Sequence, residues 1–273
     1  MVAQNPRFTF SRRLFNFFNR EDKEYDEFCS KHQAKSLSAK VFYLFFHLLP
    51  GILAYIVLNI QPVNEFLLTV TGWSNPNFQY IMLIFVTFGW HMLLPLIVLR
   101  FADKLSIKES IAFLGLNRID WKGLLLVLPV IIVVFTIISI PYMAHVNPVL
   151  KAWVEAVPAL RIPEYSLFLS GLYDFPPLML LFLFIGNFLG EEVYFRGYLM
   201  KKTAFLGKYN WLITSVLFAI YHFWQAPQTW PYVGLVGVFG LTMIWRKNLY
   251  VLIVLHIFLN LGWGMIVYSI IGN

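Results

Sequence analysis

Runs of about twenty apolar residues recur along this chain of 273 residues, and a bilayer core about 30 Å thick takes a helix of that length. In hydrocarbon every backbone N–H and C=O must be bonded within the protein, so only helices or a closed barrel can result. Barrel strands would read as ten-residue segments of alternating polarity, whereas these runs are about twice as long and do not alternate. Only 13% of the residues are charged, about half the share usual in soluble domains. The expectation is an all-α, polytopic transmembrane helix bundle.

Reading for such runs predicts seven spans, at 40–60, 79–100, 123–144, 177–200, 209–226, 230–246 and 249–271. The proline-rich stretch 145–176 reads as a long loop with room for a short helix near Val149–Val157, or for an eighth hydrophobic element. Lys and Arg residues test the count. Eight lie in the tail up to Lys40, five between Arg100 and Lys122, four between Arg196 and Lys208, and two at Arg246 and Lys247. Only Lys151 and Arg161 fall in the other connections, so 19 of the 21 basic residues occupy alternate loops. By the positive-inside rule the N-terminus is cytoplasmic and the C-terminus lies outside. The net charge of +7 therefore reports orientation and not nucleic-acid binding. No nucleic-acid partner is expected.

Two regions follow: residues 1–39 as a cytoplasmic basic tail, and 40–273 as the transmembrane helical domain. The tail lacks an apolar core followed by small residues, so no cleavable signal is expected. Within it Phe10, Leu14, Phe17 and Phe18 recur at helical spacing beside Arg12, Arg13 and Arg20, which predicts an amphipathic helix lying at the interface. The single cysteine, Cys29, excludes an intrachain disulfide and a cysteine-based metal cluster.

The segment Glu191-Glu192-Val193-Tyr194-Phe195-Arg196 puts three charges into the fourth predicted span. A charge near the bilayer centre costs roughly 2.5–3.5 kcal/mol on insertion scales, which marks a buried functional site. Counting about 1.5 Å per residue from the cytoplasmic ends puts Glu191 at roughly 15 Å, His222 at roughly 20 Å, His256 at roughly 13 Å and Asn260 at roughly 20 Å. Three helices thus bring a carboxylate, two imidazoles and a carboxamide to one depth. Glu192 and Arg196 are spaced to pair, while Glu191, rotated by about 100°, is left to face a cavity. Asn187, one turn earlier, can bond Glu191. Gly186 and Gly190, like Gly234, Gly237 and Gly240, would let helices approach closely. His47, His91 and His145 read as interhelical hydrogen-bonders outside the site, and the many Phe and Trp residues as lipid-facing packing and interfacial belts.

Peptide hydrolysis needs a base for water, a group to hold that water, and donors for the oxyanion. Glu191 suits the base, His222 the water holder, and His256 with Asn260 the donors. The same Glu191, His222 and His256 could instead bind Zn²⁺ with water fourth, although no compact His-Glu-x-x-His helix is present.

Glu191-Glu192-x-x-x-Arg196, Phe218-x-x-x-His222 and His256-x-x-x-Asn260, in this order on successive spans, resemble the motifs of the CPBP family of intramembrane proteases, which includes the type II CAAX prenyl endopeptidases and bacterial Abi-type proteins. The resemblance covers 177–271, the catalytic core on this reading. It implies a glutamate-dependent endopeptidase with a water-filled intramembrane cavity. Glu191 would activate water with His222, His256 and Asn260 would stabilise the oxyanion, and Glu192 and Arg196 would support them. No cofactor is implied. The implied partners are the lipid bilayer and a membrane-associated protein or peptide substrate, prenylated or not. The expected location is the inner membrane of a bacterium, as a multi-pass protein. Two rival readings are a non-catalytic immunity or scaffold protein of the same family and a transporter with a midplane carboxylate; no two-fold internal symmetry of the transporter kind is present.

Overall fold

The computed structural model describes residues 13–160 and 176–271, and among these all regular structure is helical. A short helical stretch at 13–18 precedes α1 (Lys23–Lys31), whose first turn is capped by the Asp22 carboxylate accepting from the Tyr25 N–H. Next come α2 (Leu37–Phe46) and α3 (Leu49–Asn59), bent by 42° at their junction, where Pro50 in the first turn of α3 has no N–H to offer α2. α4 (Gln61–Thr71) follows, then α5 (Asn75–Phe101), α6 (Ile107–Leu114), α7 (Gly123–Ala156), α8 (Leu178–Lys202), α9 (Asn210–Tyr221), α10 (Gly237–Arg246) and α11 (Leu249–Ile271).

Four of these, α5, α7, α8 and α11, are long and apolar enough to cross a membrane, and the bent pair α2–α3 makes a fifth. The chain is an integral membrane protein. The two remaining predicted spans differ from the expectation. Residues 209–226 and 230–246 contain α9, of 12 residues, and α10, of 10, joined through short tighter turns at His222–Gln225 and Trp230–Leu235. The break has local causes: Pro231 cannot donate its nitrogen, its carbonyl accepts from the Asn147 amide at 3.1 Å, and the Thr229 hydroxyl donates to the carbonyls of His222 and Gln225.

Prolines mislead elsewhere in the opposite direction. The third span does not stop at residue 144 but runs on to Ala156, so the short helix expected near Val149–Val157 is present, from Asn147 to Ala156, as a continuation of the span and not as an island in a loop. Stretches of widened turns, Phe85–Leu93, Gly123–Val127 and Tyr142–Val146, each end two residues before a proline, at Pro95, Pro129 and Pro148. Widening the preceding turn moves away the carbonyl that the proline ring would strike, so the helix continues. Residues 61–78, expected as a connection, contain α4 and the start of α5, with Gly72 closing α4 at φ 67°.

The N-terminal segment is tied to the end of the bundle. Arg246 forms a two-point bond with Asp120, at 2.8 Å on each side, and donates to the Phe18 carbonyl at 2.9 Å. The Arg20 N–H donates to the Trp245 carbonyl at 2.7 Å. Of the expected amphipathic stripe, Phe10 and Arg12 lie outside the described residues; Leu14 is exposed, while Phe18 packs against Trp245 and the Lys122 ammonium lies over Phe17.

α5 and α8 hold the core closest to the charged segment. A Cβ on Gly186 would stand 2.5 Å from the Phe88 nitrogen, and one on Gly190 2.5 Å from the Thr87 carbonyl oxygen. Both contacts are with backbone, which cannot swing away. Gly190→Ala should therefore lose about 1–3 kcal/mol and lower the thermal unfolding midpoint in detergent. Gly237→Ala, whose Cβ would meet only a ring atom of Trp211 at 3.6 Å, should leave the midpoint in place. Equal midpoints for the two variants would refute this close approach.

Candidate active site

Glu191 and Glu192 lie in the inner part of α8, and their side chains diverge as the helix turns. Glu191 borders a cavity of about 460 Å³, whereas Glu192 is fully enclosed and does not reach it. The cavity walls also carry His222, His256, Asn187 and Asn260, so α8, the end of α9, and α11 supply one polar cluster. Aromatic side chains, among them Phe135, Trp230, Tyr232, Trp263 and Tyr268, make up much of the remaining wall.

Within the cluster, Glu191 Oε1 lies 4.0 Å from His222 Nε2 and Glu191 Oε2 lies 4.0 Å from His256 Nε2. These gaps exceed a direct hydrogen bond and match groups bridged by a small third molecule. The orientation of the His222 ring is set from behind. His222 Nδ1 is 2.8 Å from the Phe218 carbonyl, one turn back; a carbonyl only accepts, so Nδ1 carries the hydrogen and Nε2 presents a lone pair when the ring is neutral. His256 Nδ1 is 3.0 Å from Glu192 Oε1, the same oxygen that accepts from Arg196 Nη1 at 3.1 Å. The His256 ring is walled by Phe188 and Phe239. The Arg196 guanidinium lies over Phe218 and Phe239, 4.0 and 4.6 Å from their ring centres. Two aromatic faces thus replace part of the water that this cation lost on burial.

The pairing of Glu192 with Arg196 is the one the spacing predicts. Its contact with His256 was missed, because it depends on how α8 and α11 are set against each other, and no local pattern encodes that. Asn187 does not bond Glu191 in the described contacts; its Oδ1 accepts from Asn260 Nδ2 at 3.3 Å, which fixes the amide of Asn260 beside the cavity and leaves its second N–H free to donate. Of the three histidines read as interhelical hydrogen-bonders, His47 bonds the Tyr43 carbonyl within its own helix. His91 is stacked among Tyr194, Phe195 and Tyr221, and neither ring nitrogen has a hydrogen-bond partner among the described residues.

The fit to Zn²⁺ can be tested on distances. Two ligand atoms on one tetrahedral Zn²⁺ stand about 3.4 Å apart, given bonds of about 2.1 Å. The two 4.0 Å separations are wider, and among the described residues no group of three or more His, Cys, Asp or Glu is gathered for a metal ion.

Residues 173–262, about a third of the chain, match the family model described as Type II CAAX prenyl endopeptidase Rce1-like. The match places this stretch in the CAAX-protease family. It includes Glu191, Glu192, Arg196, His222, His256 and Asn260, the residues now seen around one cavity and its supporting ion pair. Neither the curated proteins nor the solved structures gave a match. The CAAX-protease-like stretch begins just before α8 and ends within α11, so it includes the polar residues of the cavity wall, while Phe135, Trp263 and Tyr268 of that wall lie outside it. A protease family on apolar membrane helices supports peptidase activity of a general kind on membrane-associated peptides.

Proposed function

We propose that this chain is an intramembrane endopeptidase that hydrolyses a peptide bond of a membrane-associated protein or peptide with water activated by Glu191 and His222. The observation that carries the reading is the Glu191 carboxylate on the wall of a cavity, with one imidazole Nε2 4.0 Å from each of its oxygens. Water between Glu191 and His222 gives one proton to Glu191 and points its other hydrogen at the Nε2 lone pair of His222. Its oxygen then forms the new C–O bond. The oxyanion accepts from Asn260 Nδ2 and from the Nε2–H of His256. Glu191 returns its proton to the leaving nitrogen as the C–N bond breaks. General base catalysis of this kind contributes about 10²–10⁴-fold.

Purified protein in liposomes, given membrane-anchored peptides with and without a prenyl group, should release one pair of products by mass spectrometry. Cleavage should persist after chelation, because no metal takes part in the step; activity lost to a chelator and restored by Zn²⁺ would refute that part. No product from any anchored peptide would remove the protease reading and leave the scaffold one.

The proposed topology keeps seven crossings, with the shorter α9 and α10 completing the count, residues 13–31 on the cytoplasmic side at the interface, and a bacterial inner membrane as host. α9 and α10 either both cross or both turn back, so the alternation of basic loops fixes the C-terminus outside in each case. A reporter fused after residue 273 should be accessible from the periplasmic side. A cytoplasmic reporter would mean a missed or surplus crossing.

A further inference from the structure

A second cavity, of about 410 Å³, opens where α1 crosses the ends of α8 and α10. Its charged wall residues are Arg196, Lys201, Lys247 and Asp26. Asp26 is bonded to Lys247 and Arg196 is paired with Glu192, which leaves Lys201 as the cation at this wall without a carboxylate partner among the described residues. Lys201 is 7% exposed. Its ammonium donates to the Phe113 carbonyl and lies over the rings of Tyr25 and Phe113, at 5.1 and 5.3 Å. That uses one of its three hydrogens in a classical bond. Arg196, one and a half turns deeper along α8, has an Nη2 with no hydrogen-bond partner among the described residues. Burying the Lys201 ammonium without a counter-charge, beside an unused Arg196 donor, is costly unless an anion completes them. The neutral wall cannot do so. Burial pushes the Cys29 thiol above its ordinary range, which keeps it protonated, and Asn19, Ser30 and Asn210 bring no charge.

Lys201, Lys202, Arg246 and Lys247 stand at the ends of membrane helices, where phosphate headgroups lie whichever way the chain is oriented. We propose that this cavity is a binding site for a phosphate-type anion, held by Lys201 with Arg196 and Lys247 and supplied by a phospholipid headgroup or by free phosphate. The site is separate from the peptidase cavity, and its assignment does not depend on the peptidase reading. It also places an anion one guanidinium away from Glu192, since Arg196 touches both the cavity and that carboxylate.

The test follows thermal unfolding of the full chain in an uncharged detergent. Sodium phosphate is titrated against sodium chloride at equal ionic strength, and short-chain phosphatidylglycerol against the matching phosphatidylcholine. The midpoint should rise in a saturable way with phosphate, with phosphatidylglycerol or with both, and with neither control. Phosphate alone would assign a soluble anion, and phosphatidylglycerol alone a headgroup. Two variants guard the reading: Lys201→Met removes the buried ammonium, and Asn19→Asp adds a carboxylate of nearly the same shape at the wall. Each should raise the half-saturating concentration at least about tenfold, as expected for loss of a charged hydrogen bond. If Lys201→Met does not fold, Asn19→Asp alone decides. No saturable rise with either anion, or a rise that the folded variants leave unchanged, would overturn the proposal.

Discussion

Glu191→Gln should reduce peptide cleavage about 10²–10⁴-fold while leaving the thermal midpoint close to wild type. The amide keeps the shape of the carboxylate and still fits the cavity wall, but it cannot take a proton from water. His222→Ala should fall by a similar factor, because Nε2 of His222 is the second group facing Glu191 and its ring is already held in place by the Phe218 carbonyl. Asn260→Ala should lose less, about 10²–10³-fold, as one of two oxyanion donors. A Glu191→Gln enzyme that cleaved at the wild-type rate would move the base elsewhere.

Arg196→Met carries the largest expected effect on stability. It leaves the Glu192 carboxylate, which is 0% exposed, without its cation. Breaking a buried ion pair from one side costs about 3–5 kcal/mol, and the two ring contacts of the guanidinium are lost as well. The double variant Glu192→Gln with Arg196→Met should recover most of the midpoint, because no charge is then left unpaired. It should not recover cleavage, since His256 would still lack the carboxylate at Nδ1. A single Arg196→Met variant as stable as wild type would show that the pair carries no such weight.

These two expectations divide the charged segment in the way its helical spacing already suggests. The i, i+4 relation joins Glu192 to Arg196, and a turn of about 100° sends Glu191 to another face. Equal depth, counted along three helices, is enough to bring Glu191, His222, His256 and Asn260 together, because α8, the end of α9 and α11 wall one cavity. What depth cannot supply is rotation between helices. The approach of His256 to Glu192 and the Asn187–Asn260 contact both depend on it. Helix limits were legible only where hydropathy and backbone chemistry agree. Before Pro148 a widened turn lets α7 continue through a proline that reads as loop. Between His222 and Leu235 half of the residues are apolar or aromatic, and the chain breaks, because Asn147 holds the Pro231 carbonyl and the Thr229 hydroxyl turns back on the chain. The Asn147 capture is tertiary and leaves no periodic trace.

Single-turnover cleavage in H₂¹⁸O, with mass spectrometry of both the product and the Glu191-containing peptide, tests the central claim most directly. On the proposed mechanism water activated by Glu191 attacks the peptide carbonyl itself, so the first turnover should place ¹⁸O in the new carboxyl terminus and none in the Glu191 side chain. Label in Glu191, or hydrolysis that proceeds unchanged in the Glu191→Gln enzyme, would contradict the account.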